Sequence, residues 1–190
     1  MKLNQLKSVL KGVFAGVAAA FGLSVGAVEL PEGYVAVDYI VAPNGAYIDT
    51  GYWPSDKTRV AMDVTVQGAT EYWFAVCDET YKKGAFGVCN DGPQGVYSGY
   101  GDQGGSKGAA VTNGRHTVEL DRNIVKVDAS GIRTFDACNF QLDNNLYLFA
   151  SNDAGQHKVV TGNGQQAIRC HGCQIYESGT LKRDFVPAVR

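Results

Sequence analysis

Between Arg59 and Gln67 apolar and polar residues alternate, with Val60, Met62, Val64 and Val66 on one side of an extended chain and Arg59, Ala61, Asp63 and Thr65 on the other. A period of two marks a strand with one face on a core. Ahead of it, Ala46 to Asp49 reads as a short strand, and Thr50 to Lys57, with Gly51, Pro54, Ser55 and Asp56, as the loop joining the two. Further on, Glu71 to Cys77 and Gly84 to Asn90 bracket a polar turn at Asp78 to Lys83 and predict a hairpin. Gln94 to Tyr100 follows as a strand, and Gly101 to Gly108, glycine-rich and polar, as a mobile surface loop. His116, Val118 and Leu120 alternate with Thr117, Glu119 and Asp121, and Arg122-Asn123 leaves the two residues of a tight turn before Ile124 to Asp128.

Ile132 to Asp136, Leu146 to Ala150 and Ala167 to Tyr176 complete the strands, with polar loops at Cys138 to Asn145 and Ser151 to Gln166. No helical period of any length follows residue 28. About ten short strands with frequent turns predict an all-β fold, a two-sheet antiparallel sandwich. The 24 glycines, 10 tyrosines and 8 phenylalanines agree with that class.

The first 27 residues follow a different rule. Lys2, Lys7 and Lys11 precede an apolar, Ala- and Gly-rich run from Gly12 to Val25, and Val25-Gly26-Ala27 supplies small residues for a cut. This is the order of a secretory signal peptide, so the chain divides into residues 1–27 as leader and 28–190 as one domain. Removing the leader takes the basic count from 17 to 14 against 19 acids, and the net charge from -2 to -5. A weakly acidic surface without a basic run argues against nucleic acid as a partner, and no later apolar stretch reaches membrane-spanning length. Disulfides can form in an exported chain, yet five cysteines, Cys77, Cys89, Cys138, Cys170 and Cys173, are an odd number. Hairpin register sets Cys89 nearer Tyr72 than Cys77, so these two read as buried small hydrophobes.

The segments AYIDTGYWPSDKTRVAMDV, GRHTVELDRNIVKVD, LYLFA and CQIYESGTLKRDFVPAVR, in that order and spacing, resemble the concanavalin A-like lectin/glucanase superfamily in its bacterial laminin G-like branch. The resemblance covers most of Tyr39 to Arg190. It implies a jelly roll in an exported or surface setting and a binding or adhesion role without catalysis. Similar domains continue past the RDFVP segment with a further strand, so the resemblance also implies a truncated member with an uncovered sheet edge.

Asp49-Thr50-Gly51 has the form of an aspartic-protease loop, but that chemistry needs two carboxyls sharing a proton and the chain carries one such tripeptide, which reads as a turn. Glu119-Leu120-Asp121 resembles the start of the superfamily's catalytic strand, where a retaining glycosidase holds two carboxyls about 5 Å apart. Ile124 stands where the last Glu of that signature falls. Cys170-His171-Gly172-Cys173 sits in or before a strand, away from the helix N-terminus that redox chemistry uses, and reads as structural thiols, with a local disulfide as the alternative. On a regular strand Cys173 faces the core with Ile175, and Cys170 the other side. His116, His157 and His171 form no spaced set.

The candidate ligand residues are Tyr52, Trp53, Tyr97 and Tyr100, rings in or beside polar loops that suit a sugar face, with Asp102. No cofactor is implied beyond calcium as an option, for which Asp78, Asp91, Asp102 and Asp153 are hard oxygen donors. The expected function is an exported, non-catalytic carbohydrate-binding or adhesion module whose partner is a glycan or another cell-surface ligand. The alternatives are a glycan hydrolase of the same superfamily and a purely structural surface module.

Overall fold

A computed structural model describes residues 30–42, 45–67, 70–80, 83–109, 111–158 and 168–189. The leader lies outside the described residues. Residues 36–189 form one unit; of the segment ahead of it, residues 30–35 are described and carry a turn in which Tyr34 N donates to Pro31 O. β1 (Val35–Ala36) bridges the boundary in the chain.

The alternating run becomes β4 (Thr58–Val66), and its apolar set is buried to within 2 % of full enclosure: Val60 and Val64 0 %, Val66 1 %, Met62 2 % exposed. β4 sits in the middle of the first sheet, between β9 (Gly114–Asp121) and β15 (Ile168–Glu177). β10 (Ile124–Val127) and β11 (Ser130–Thr134) extend it on the β9 side. β2 (Ile40–Ala42) and β16 (Thr180–Phe185) pair with the other edge of β15.

The second sheet is built on the hairpin of β5 (Thr70–Thr80) and β6 (Lys83–Asp91), followed by β7 (Val96–Gly101) and β8 (Gln103–Lys107). β3 (Ile48–Asp49), β12 (Tyr147–Leu148), β13 (Ser151–Asp153) and β14 (Gln156–Lys158) complete it beyond β5. Trp73, Phe74, Val76, Phe86 and Val88 of this sheet join Val60, Val64, Val118, Leu120 and Ile175 of the first in one buried cluster. The result is the two-sheet sandwich that the alternation predicts, of the jelly-roll kind that the resemblance implies. Its helical content among the described residues is one 3₁₀ turn, Gly92–Gln94.

Several expectations are corrected. The 101–108 stretch is no loop: β8 pairs residue for residue with β7 from Tyr100↔Gln103 to Val96↔Lys107, and its carbonyls at Gly104 and Gly105 accept from the Arg133 guanidinium. Polar composition concealed an edge strand whose second edge is covered by an arginine. The stretch after Ala150 likewise starts as strand β13, with Ser151, Asn152 and Asp153 all buried; residues 159–167 lie outside the described set. β13 runs parallel to β5, an exception to the antiparallel rule. The chain approaches β5 antiparallel in β12, turns at Phe149, whose φ is +68°, and leaves parallel, so Ala75 pairs with both Tyr147 and Ser151. β16, formed by a hairpin through Ser178 and Gly179, was not foreseen, and the chain continues past it into β17 (Ala188–Val189).

Cys170 and Cys173 also depart from regular alternation. Both are buried, at 3 % and 1 % exposure, because the pairing of β15 with β4 slips between Cys170 and Gly172. This bulge adds a residue and returns both thiols to the core side. The ring of His171 is held by Thr65 Oγ1 at 2.8 Å and by the Asp38 carbonyl at 3.0 Å. All five cysteines are free thiols.

Candidate functional site

Residues of β5, β6 and β7, chiefly those that do not face the core, line a groove of about 370 Å³ on the outer side of the second sheet. Register places them in rows across the strands. Tyr72, Cys89 and Tyr97 form one row, Ala75, Gly87 and Gly99 the next, and Cys77 with Ala85 begins a third. The hairpin thus sets Cys89 opposite Tyr72 and not Cys77, as the sequence predicts.

The floor is made of small residues for a steric reason. A Cβ on Gly87 would stand 2.6 Å from the Ala75 Cα and 2.6 Å from the Phe74 carbonyl oxygen, and one on Gly99 would stand 2.8 Å from the Ala85 Cβ. The strands approach so closely that these positions take no side chain. Tyr72 and Tyr97, one strand apart on either side of Cys89, rise as walls about 10 Å from each other at the backbone, twice the strand spacing. Ser151 supplies a hydroxyl from β13, and Asp91 a carboxylate at the β6 end, where it accepts from Ser106 Oγ.

Beyond the Cys77 end, Asp153 accepts from the Cys77 thiol and pairs with Lys158. Burial, reinforced by Asp153, pushes the Cys77 thiol up to about 12, and burial with Asp91 does the same for Cys89. Burial raises the Tyr72 phenol too, helped by Cys89 and Asp153. At neutral pH the Cys77 and Cys89 thiols and the Tyr72 phenol therefore stay protonated. Asp91 pairs across β5 at Thr70 and Asp153 at Cys77, which puts the two carboxyls about 20 Å apart along the strand. General acid and nucleophile or base need to stand within about 10 Å.

Of the predicted ligand residues, Tyr97 lines the groove. Tyr100 points the other way into the core, 3 % exposed, stacked on Phe135 and donating to the Asp56 carbonyl. Tyr52 is half-buried in the β3–β4 loop, where its hydroxyl donates to Glu177, and its neighbour Trp53 is 57 % exposed on the same loop. Asp102 accepts from Gly84 N in the β7–β8 turn. The structure thus brings Tyr97 together with Tyr72, Cys89 and Asp91, and leaves Tyr52, Trp53, Tyr100 and Asp102 elsewhere. Tyr72, Ser151 and the small-residue floor were missed. Their signal was the second phase of the alternation, Ala85, Gly87, Cys89 and Asp91 between Phe86, Val88 and Asn90.

The remaining motifs are held in structural contacts. Asp49 Oδ1 accepts from Gly51 N at 2.9 Å, Oδ2 accepts from Asn145, and Thr50 Oγ1 donates to the Leu146 carbonyl, which makes Asp-Thr-Gly a turn. Glu119 accepts from Arg59 at 2.7 Å and Lys126 at 2.6 Å on the outer face of the first sheet. Asp78 accepts from Asp143 N and Asn144, so the four calcium candidates have separate surroundings. No group of three His, Cys, Asp or Glu side chains able to hold a metal occurs among the described residues.

Fold and groove together define an all-β jelly-roll sandwich with a ring-walled, small-floored groove on one outer face. No family model and no curated protein matches the chain. Among solved structures it is similar to the carbohydrate recognition domain of Emp47p, at 12% identity over 80% of this chain and 92% of that one, with a TM-score of 0.35. No helix of the described residues is long and apolar enough to cross a membrane.

Proposed function

We propose that the chain is a non-catalytic carbohydrate-binding module that takes a segment of glycan between Tyr72 and Tyr97. The observation that carries this is the row Tyr72–Cys89–Tyr97 over the flat Ala75–Gly87–Gly99 floor. Rings offer apolar faces to the C–H side of a pyranose, while Ser151, Asp91 and the phenols serve its hydroxyls. The separation of Asp91 from Asp153, and the engagement of Glu119 by Arg59 and Lys126, support binding without hydrolysis. The lysine-apolar-small order of residues 1–27 supports an exported or cell-surface setting.

The test is retention on immobilised polysaccharides. Tyr97→Ala weakens retention by about tenfold, with Tyr97→Phe close to wild type, since stacking and not the phenol is the larger contribution. Retention unchanged in Tyr97→Ala refutes the site. Reducing sugar released by the wild type and abolished by Glu119→Gln refutes the non-catalytic reading.

A further inference from the structure

We infer that the groove selects glycans that carry no acidic groups. This rests on the reading of the groove as a glycan site and adds the class of glycan. Among its described lining residues Asp91 alone is charged, and no arginine or lysine is present. Binding proteins hold carboxylates and sulfates through guanidinium or ammonium groups, which match their charge and geometry. Among the described cations, five are engaged away from the groove. Arg133 donates to the Gly105 and Gly104 carbonyls on the β8 edge and lies over the Phe135 ring, 4.3 Å from its centroid. Lys158 pairs with Asp153 beyond the groove's end. Arg59, Arg115 and Lys126 are engaged with Glu119 and Asp63 on the other sheet.

A uronic acid or sulfated sugar seated between the tyrosines would bring a negative charge onto a floor of alanine, glycine and protonated thiols. Among the described lining residues it would find no counter-ion, and it would lie towards the Asp91 carboxylate. A neutral chain loses nothing of the kind, and an amine gains a partner in Asp91. The groove therefore excludes by charge what it would otherwise admit by shape.

The test uses one β-linked glucan backbone in three forms, unmodified, partly oxidised to carboxylates and aminated, immobilised at equal density against the purified chain. At low salt the unmodified and aminated forms are retained and the carboxylated form is bound about tenfold more weakly, with the gap narrowing at high salt. Asp91→Asn narrows the same gap, read as the ratio of carboxylated to unmodified retention, and circular dichroism verifies its fold. Equal or tighter retention of the carboxylated form overturns this inference and leaves the glycan-binding reading standing. Retention of none of the three overturns that reading itself.

Discussion

Glu177 offers a quantitative test of how the β3–β4 loop is held. Its carboxylate, at the end of β15, receives hydrogen bonds from Tyr52 Oη, from Ser55 Oγ at 2.7 Å and from Thr58 Oγ1 at 2.9 Å. Partial burial pushes this carboxyl up, but the three hydroxyls outweigh it and hold the group below its ordinary value of 4.5. Burial and the same carboxylate raise the Tyr52 phenol to about 12. Glu177→Gln keeps the shape and one acceptor while removing the charge. Hydrogen bonds to a charged group contribute about 1.5–3 kcal/mol each when enclosed, and this site is half-open to water. The expected loss at neutral pH is thus about 1.5 kcal/mol for the whole cage, or about 3–6 °C in Tm for a domain of this size.

The sign of the pH dependence follows from the lowered value. Because the folded carboxyl is the stronger acid, its contribution is complete above about pH 4.5 and is lost as pH falls through the folded value. Thermal melts of wild type and Glu177→Gln from neutral to about pH 3 should therefore differ most at neutral pH and converge on acidification. A difference that is absent at neutral pH, or that stays constant down to pH 3, refutes the reasoning.

Gly87→Ala should destabilise by about 2 kcal/mol or more, since the new Cβ meets β5 backbone, whereas Gly131→Ala, with nothing within 4 Å, should be near neutral in urea melts. Val64→Asp places an unpaired charge at a position with 0 % exposure and should abolish cooperative unfolding, while Thr65→Asp on the outer face should cost about 1 kcal/mol at most; equal effects refute the register of β4. Iodoacetamide at pH 8 should label native Cys138, which is partly exposed, ahead of Cys77, Cys89, Cys170 and Cys173, and mass spectrometry after unfolding should count five reactive thiols; fast native labelling of Cys89 refutes its burial.

Sequence alone was enough for β4, for the β5–β6 hairpin and its pairing of Tyr72 with Cys89, and for the β9–β10 turn at Arg122, which adopts φ +52°. Each is local: period-two alternation assigns a face, and a short turn assigns a register. What the alternation could not announce was a pairing whose partner is remote. β8 is polar and glycine-rich, and becomes a strand because β7 is beside it and Arg133 lies across its far edge. Cys170 joins Cys173 in the core because β15 slips by a residue against β4. The parallel β13 depends on a reversal at Phe149 that no turn residue marks.

The same division runs through the site. That Tyr97 is a ring in reach of polar neighbours was legible in the sequence, but that Tyr100 three residues on turns inward against Phe135 was a matter of which face of β7 meets the core. The groove itself exists only in the sheet, since its floor takes Ala75, Gly87 and Gly99 from three strands and its depth comes from backbones too close for a Cβ. Residue types decide what can line such a surface, and strand register decides which of them share it.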